Sequence, residues 1–446
     1  MKRLLIATIS IAGLLLAGME TGSQAPSSTP VTFNKDVLPI LQRNCQTCHR
    51  PGEVAPMPLL TYEQVRPWAR SIKTQVTTKQ MPPWFADPEY GHFSNERKLT
   101  PEEIRTLVLW VNNGAPEGNA KDKPAPVEFV EGWGIGTPDK VIEMPQAFQV
   151  AAQGTIDYKY VVLPGGFTQD AWVKAAEIRP GNRAVVHHVI AFIRPPGSPW
   201  LKDAQPGVPR ERSTSGAPGP APERNGGGGI LGAQYLVGFA PGSQAESMGS
   251  AAERIPAGSD IIFQIHYTTN GAPAEDRTRI GLVLAKEPPQ HQYVTLLAAN
   301  HMLAIPPGDS NYEVKSQVTF QEAVELVSLK PHMHLRGKDF EYRVVYPTGE
   351  SETLLKVSKY DFNWQLRYKL AKPLHLPKGA RIECVAHFDN SLNNPANPDP
   401  TKLVRWGEQS WEEMMIGWFS VEVGAKADAK ALVRMSPGAN SKDPAL

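Results

Sequence analysis

The sequence predicts a multidomain protein in which a small all-α domain precedes two antiparallel β-sandwich lobes of jelly-roll type. Its 446 residues are too many for one hydrophobic core, since domains usually contain roughly 100–200 residues. Apolar residues recur at helical spacing early in the chain, whereas later apolar runs are rich in Val and Ile and are broken by Pro and Gly. The predicted boundaries are 31–116 for the helical domain, 117–130 for a linker, 131–272 and 273–424 for the two lobes, and 425–446 for a disordered tail.

The first residues are typical of an export signal. Lys2 and Arg3 precede an apolar run from Leu4 to Ala17, and small and polar residues follow to Ala25. The run is shorter than the ~20 residues that a membrane span requires, so we expect residues 1–25 to be a signal peptide that is removed. The mature protein is then periplasmic or secreted, without a transmembrane segment.

Charge bounds the class of partner. The net charge is +1, and acidic and basic residues are interspersed along the chain. Such a chain offers no broad cationic field for nucleic acid. The sequence therefore favours a small molecule as partner and disfavours nucleic acid.

Three helices are predicted between residues 31 and 116. Thr61 and Gln64 resemble a capping box that opens the second helix, and Thr100, with Pro101 at the first helical position, opens the third. The third helix is expected to end just before Gly114. The first helix is indicated by apolar residues at helical spacing, namely Phe33, Val37, Ile40 and Leu41.

A Cys-x-x-C-His motif follows the first helix. The motif consists of Cys45, Cys48 and, directly after it, His49. In an exported protein this pattern predicts covalent attachment of haem c to the two cysteines, with His49 as an axial iron ligand. The alternatives are a zinc half-site, which lacks its second cysteine pair, and a redox dithiol, which does not need His49. The helical domain is therefore predicted to be a cytochrome c domain.

The second axial ligand is predicted to be Met81. It stands in Met81-Pro82-Pro83-Trp84, where the prolines favour an extended loop that can lie against the ring, and a thioether raises the potential of the iron. A hydrophobic role for Met81 and ligation by His92 instead remain open.

The region beyond residue 130 is predicted to be antiparallel β structure. An apolar-Pro-x-Gly pattern precedes a run with strand character three times, beginning at Ile255, Ile305 and Leu376. Proline followed two residues later by glycine favours a tight turn into each strand.

Histidine and methionine side chains cluster in four segments of this β region. His332 and His334 are two residues apart, so on a strand both rings leave from one face and can converge on one ion. His187 and His188 are adjacent, and adjacent side chains on a regular strand point to opposite faces. They would need a bulge, a strand end or different ring nitrogens to converge on one ion. Imidazole suits copper, and a thioether such as that of Met414 favours the cuprous ion.

With these segments in this order, the chain resembles the type II, ascorbate-dependent copper monooxygenases, which include the peptidylglycine α-hydroxylating and dopamine β-monooxygenases. The resemblance covers roughly residues 131–424 and rests on the order and kind of the metal positions. It implies one copper on each of two sandwich lobes that face each other across an open cleft. The electron-storing copper is expected at His187, His188 and His266, and the catalytic, oxygen-binding copper at His332, His334 and Met414.

Two positions depart from the peptide-hydroxylating enzyme. Lys330 stands where the resemblance leads one to expect an arginine, and Trp418 stands where it leads one to expect a tyrosine. In that enzyme the arginine and the tyrosine bind a substrate carboxylate. Lysine lacks the two-pronged fork of arginine, and tryptophan cannot accept a hydrogen bond. Substrate identity therefore stays open.

The expected function is O₂-dependent hydroxylation of a C–H bond in a small organic substrate, with electrons from ascorbate or a redox protein passed through the haem. The cofactors are one covalent haem c and two copper ions. The alternative is a periplasmic electron-transfer or copper-binding protein without monooxygenase activity. His266 as an ordinary core histidine and Met414 as core methionine are the structural alternatives for single residues.

Overall fold

The computed structural model describes residues 30–129, 132–211, 233–243 and 245–437. The predicted signal peptide over 1–25 lies outside the described residues. None of the described helices is long and apolar enough to cross a membrane.

The N-terminal segment contains short helices whose starts follow from their caps. The side chain of Thr100 accepts from the Glu103 amide at 3.2 Å, and Glu103 accepts from the Thr100 amide at 2.9 Å. Thr61 and Gln64 form the same reciprocal box. The helices are α1 Leu38–Asn44, α2 Tyr62–Val65, α3 Ala69–Thr77 and α4 Pro101–Asn112, with a π-helical turn at Phe33–Val37 and 3₁₀ turns at Arg66–Trp68 and Ala120–Asp122.

These helices share a small core around two aromatic residues. Phe33 and Trp110 are fully buried with ring centroids 6.0 Å apart. The Trp110 indole N–H donates to the carbonyl oxygen of Pro116 at 2.9 Å, so the ring's polar atom is satisfied inside the core.

The predicted fold class, an all-α cytochrome c domain followed by two β-sandwich lobes, is wrong. The protein is mostly β, with 37% strand and 11% helix, and no all-α cytochrome c domain is apparent in the described residues. The helices are short, and the chain between α3 and α4 is not helical: Ala86 and Phe93 make bridges with Val357 and Leu370 of the later β region. Helical spacing in isolated stretches could not reveal that long-range β pairing.

Strands between residues 140 and 284 form what we call the first β group. One sheet has the order β1-β12-β4-β8, with β9 also on β4, a second has the order β6-β3-β10-β5-β7, and β11 pairs with β2. The strands are β1 Lys140–Glu143, β2 Phe148–Val150, β3 Lys159–Pro164, β4 Ala171–Arg179, β5 Val186–Arg194, β6 Arg210–Glu211, β7 Gln234–Phe239, β8 Glu246–Ser247, β9 Glu253–Ile255, β10 Asp260–Tyr267, β11 Ala274–Asp276 and β12 Arg279–Leu284.

Strands from residue 291 onward form the second β group. Its sheets have the orders β13-β22-β16-β19 and β18-β17-β20-β15-β23, and β14 pairs with β21. The strands are β13 His291–Ala299, β14 Ala304–Ile305, β15 Tyr312–Phe320, β16 Val324–His332, β17 Gly337–Val345, β18 Ser351–Val357, β19 Tyr368–Leu376, β20 Arg381–Phe388, β21 Val404–Arg405, β22 Ile416–Gly424 and β23 Val433–Pro437.

The structure differs from the predicted boundaries at two points. Strands β11 and β12 pair within the first β group, so the change of group falls after Leu284 rather than at 272. Strand β23 pairs with β15, where the sequence predicts a disordered tail from 425. The five residues of β23 follow a run of small and polar residues, and their pairing with β15 joins segments more than a hundred positions apart.

The Pro-x-Gly turns are formed as the pattern predicts. Gly258, Gly308 and Gly379 have φ values of 73°, 71° and 87°, a region that only glycine adopts without strain. These turns lead into β10, β15 and β20 respectively.

The two β groups pack directly on each other. Ile190 and Ile262 of the first group and Ile416 and Trp418 of the second belong to one buried cluster. Strands β5 and β10 are thus covered on both faces, which explains why they read as continuous apolar runs and not as alternating ones.

A buried ion pair also joins the groups. The Arg367 guanidinium lies 2.8 Å from the Glu246 carboxylate, and the two side chains are 13% and 6% exposed. Arg367 also donates to the hydroxyls of Tyr293, Ser328 and Ser420. This guanidinium is therefore held from both groups.

Replacing Arg367 should weaken that junction. Arg367→Met leaves the Glu246 carboxylate buried without its cation, and loss of one partner of a buried pair costs about 3–5 kcal/mol. We expect a lower urea midpoint and lower melting temperature. The matched control is Arg343→Met, whose pair with Glu341 is half exposed and should contribute less than about 1 kcal/mol. Equal effects of the two variants would contradict this account.

Candidate metal centre

Three histidines converge on the face of the first β group that meets the second. His187 and His188 lie on β5 and His266 lies on β10, and one ring nitrogen from each lies within 4.8 Å of the others. In the ladder His266 is opposite His188, but Tyr267 is opposite Val186. His187 is therefore the extra residue of a β-bulge, which turns two adjacent rings toward one point.

A second set of predicted ligands lies at the end of β16. The rings of His332 and His334 are 5.2 Å apart and perpendicular. The Nδ1 atom of His332 lies 2.7 Å from Gln365 Oε1, and Nδ1 of His334 lies 3.2 Å from the Glu412 carbonyl oxygen. Since Nδ1 donates in both rings, Nε2 is the atom left for a ligand. Met414 lines the same small cavity as both histidines.

One phenylalanine separates the two sets. The Phe362 ring centroid lies 5.0 Å from that of His187, 6.1 Å from His266 and 5.9 Å from His334. The resemblance implied an open cleft between the metal positions, and the structure instead packs them around Phe362.

Several ring nitrogens in the two sets lack ordinary partners. His187 Nε2, His266 Nδ1 and His334 Nε2 are buried without a hydrogen bond among the described residues. A buried polar atom left unpaired costs about 1–3 kcal/mol, so folded proteins rarely leave three together. A metal ion bound by these atoms removes that cost, and the residues present therefore fit a metal.

The electrostatics keep these rings uncharged. Burial lowers the pKa of His266 to about 3 and that of His332 to about 4. Burial also lowers the pKa of His187, and it holds the pKa values of His188 and His334 well below the ordinary value, with neighbouring histidines adding to the shift of both. At neutral pH all five rings carry a free lone pair, which ligation requires.

The buried carboxyl of Glu413 holds the second set together. One of its oxygens accepts from the Arg336 amide at 2.7 Å, and the other accepts from the amides of His334 at 2.9 Å and Met414 at 3.3 Å. Burial raises the pKa of Glu413 to about 8, while the amide hydrogen bonds oppose this shift. One side chain therefore fixes the backbone at two predicted ligands.

The cavity at the second set is small and mostly apolar. Besides the ligands it is lined by Tyr158, Gln264, Glu408, Trp418 and neighbouring isoleucines, and its volume is about 10 Å³. Tyr160 donates to Glu408 and accepts from Gln264, so these polar groups form a chain along one wall.

The Cys-x-x-C-His motif lies at the end of α1. Cys45 and Cys48 are half-buried free thiols, and His49 Nδ1 lies 3.1 Å from the Met57 carbonyl oxygen, which leaves Nε2 for an axial bond. Burial raises the pKa of Cys45 to about 12 and also raises that of Cys48. A redox dithiol needs a low thiol pKa, so these raised values argue against that alternative.

The predicted second axial ligand remains a prediction. Met81 is half-buried just beyond α3, with its amide donating to the Gln75 carbonyl oxygen at 3.3 Å. The rival His92 is exposed.

Sequence reasoning missed the residues that orient the ligands. Phe362 and Gln365 are far from the histidines in sequence and carried no signal. Glu413 carried one, because it directly precedes Met414 in an acidic pair.

Comparisons with known proteins leave the chain without a family. No family model matches it, and no curated protein matches it. The VP2 subviral particle of infectious bursal disease virus matches with a TM-score of 0.18 and 9% identity, over 68% of this chain and 77% of that chain. A putative secreted protein from Eubacterium rectale matches with a TM-score of 0.17 and 11% identity, over 60% of this chain and 69% of that chain. TM-scores this low carry no argument about fold or function.

Substitution of Glu413 should loosen the second set. In Glu413→Gln an NH₂ group faces a backbone N–H, and one or two amides lose their acceptor at a cost of about 1–3 kcal/mol. We expect a lower unfolding midpoint and weaker retention of added Cu(II) on dialysis. Glu412→Gln is the control, since the Glu412 side chain accepts from the Gln409 amide at 3.0 Å and not from a ligand residue. Wild-type stability and Cu(II) retention in Glu413→Gln would refute the role.

Metal-free protein should lose stability on acidification. The folded-state pKa values of His266 and His332, about 3 and about 4, lie below the ordinary value of about 6.5. Between about pH 4 and about pH 6.5 the unfolded chain binds more protons than the folded chain. The free energy of unfolding therefore has its full value above about pH 6.5 and declines as the pH falls toward about 4. Urea titrations across this range measure the free energy of unfolding at each pH. Its slope against pH should be shallower in His332→Asn than in the wild type, by the equivalent of up to one bound proton. An unchanged slope would contradict the burial argument.

Proposed function

We propose that this chain is an exported oxidoreductase that holds two copper ions and one covalent haem c and hydroxylates a C–H bond of a small organic substrate with O₂. The observation that carries the proposal is the gathering of six predicted ligands into two sets, with unpartnered buried ring nitrogens in both.

The two donor sets differ in the way this chemistry needs. His187, His188 and His266 offer imidazole alone, whereas His332 and His334 are joined by the thioether of Met414, which favours the reduced ion. Copper bound at these residues supplies one-electron transfer and activation of O₂.

The residues around the second set bind and orient. Tyr158 and Trp418 exclude water from the cavity, and Gln264 and Glu408 supply polar groups for a substrate. The Tyr160 hydroxyl accepts from Gln264 and donates to Glu408, so it can pass its proton to the Glu408 carboxylate and take it back.

An ion pair supports electron delivery from the Cys-x-x-C-His motif. Glu53, five residues after Cys48, lies 2.7 Å from Arg183, and Arg183 is four residues before His187. Arg50 also pairs with Glu53, at 2.9 Å. The attachment loop is thereby fixed beside the strand that carries the first histidine set, so a haem there needs no diffusing carrier.

A second function is favoured by the size of the cavity. A volume of about 10 Å³ admits no more than about one water molecule, so a substrate enters only if Phe362 or the two β groups move. A periplasmic electron-transfer or copper-binding protein without monooxygenase activity requires no such movement.

Metal content and haem reoxidation test the proposal. Purified protein should contain two copper ions for each iron, and His332→Ala should lose one copper and keep its iron. After reduction by dithionite, O₂ should reoxidise the haem at least about tenfold more slowly in His332→Ala, because O₂ reduction then lacks its copper. Stopped-flow absorbance at the haem band measures this rate.

The control is His291→Ala, at an exposed position on β13 outside both sets. Unchanged haem reoxidation in His332→Ala would refute electron flow to the second copper. Normal copper content with no O₂ consumption by any reduced sample would favour the electron-transfer alternative.

A further inference from the structure

A second cavity lies where the N-terminal segment and both β groups meet. The N-terminal segment contributes Trp84, Asn95 and Arg97, and the first β group contributes Tyr235, Gly238 and Glu246 among others. The second β group contributes Lys330, Gln365, Leu366, Arg367 and Lys369. Its volume is about 50 Å³, larger than that of the cavity beside Met414.

The charge of this cavity is strongly unbalanced. Arg97, Lys330, Arg367 and Lys369 line it, with Glu246 as the one carboxylate of the lining. Glu246 is already paired with Arg367. In the described part of the chain, no ion pair is formed by Arg97, Lys330 or Lys369, so three cations face one small space without a counter-charge.

Lys330 makes this imbalance costly. The residue is only 8% exposed, and its ammonium lies 3.3 Å from the Tyr235 hydroxyl and above the Tyr235 ring. A hydroxyl and an aromatic face stabilise an ammonium less than a carboxylate does. A buried cation usually has an anionic partner, and here the structure leaves room for one.

That room is maintained by a glycine. A Cβ atom at Gly238 would stand 2.6 Å from the Tyr235 hydroxyl and 3.1 Å from Lys330 Nζ. Any side chain at this position would displace the ammonium or fill the cavity. Gly238 therefore keeps the polar atoms open to an occupant.

Arg97 and Lys369 are placed by contacts that leave their charges available. One Arg97 N–H group donates to the Gly242 carbonyl oxygen at 2.8 Å, and among the described residues its remaining donors form no ion pair. The Lys369 amide donates to the Asn95 side chain at 2.9 Å, which fixes the backbone and not the ammonium. Arg97 and Lys369 therefore each place a positive charge at the cavity that no described carboxylate pairs with.

We propose that this cavity binds a small organic anion of the carboxylate class, held by Arg97, Lys330 and Lys369. The Trp84 ring and Leu366 form an apolar wall for its carbon skeleton, which favours an organic over an inorganic ion. Gln365 lines the cavity and also accepts from His332 Nδ1. The anion therefore lies one residue away from a predicted metal ligand.

The binding does not require a metal, so it can be tested apart from the proposed function. Purified full-length protein is titrated with malonate by isothermal calorimetry in about 0.15 M NaCl, where long-range attraction is screened. Malonamide, which has the same shape without charge, is titrated in parallel. Malonate should bind and malonamide should bind at least about tenfold more weakly.

Variants assign the binding to the cavity. Lys369→Gln and Arg97→Gln should each weaken malonate binding about fivefold to tenfold. Lys372→Gln, an exposed position three residues further along the same strand, should leave it unchanged. Equal binding of malonate and malonamide overturns the proposal without any variant, and so does equal weakening by Lys369→Gln and Lys372→Gln.

The anion could be a reductant or a substrate, and competition distinguishes them. Displacement of malonate by ascorbate at similar concentration identifies the site as one for an anionic reductant. Retention of malonate in the presence of ascorbate excludes ascorbate as the occupant and leaves the site to a carboxylate that is not this reductant. A protein that binds malonate but no copper would keep this site and lose the proposed function.

Discussion

The loop between β18 and β19, residues 358–367, is the constraint on which the rest of the site depends. The Tyr360 hydroxyl donates to the Met333 carbonyl oxygen at 2.8 Å and lies 3.1 Å from the Met333 amide, so it fixes the backbone between His332 and His334. Phe362 stacks on His187, Gln365 fixes the His332 ring, and Arg367 pairs with Glu246. One short loop thereby sets both histidine groups and the contact between the β groups.

Burial connects this geometry with the chemistry. The loop and the apolar faces around it remove water from five imidazoles, which keeps them neutral and leaves some of their nitrogens unpaired. Without an ion this arrangement costs stability, and with one the same burial restricts ligand exchange and strengthens charge interactions. The features that make the site costly to fold are therefore those that make it suitable for a tightly held metal.

What the sequence could predict was local, and what it missed was long-range. Capping boxes, Pro-x-Gly turns and the His-x-His spacing depend on neighbours a few residues apart, and the turns at Gly258, Gly308 and Gly379 formed as predicted. The fold class was wrong because the bridges of Ala86 and Phe93 to the second β group join residues more than two hundred positions apart. The bulge at His187 was among the predicted solutions, whereas Phe362 and Gln365 had no pattern that tied them to a histidine.

The packed site limits how the two proposed functions can be reconciled with the fold. The packing of Phe362 against both histidine sets favours electron transfer between them, because rings this close to one another need no diffusing carrier. Substrate access is opposed by the same ring, by the apolar contact of Ile190 and Trp418, and by the buried Arg367–Glu246 pair. Separating the β groups would expose that pair to water, which solvates both charges and offsets part of the lost contact energy. A hydroxylase built on this fold would therefore have to separate these contacts to admit a substrate, whereas an electron-transfer protein would not.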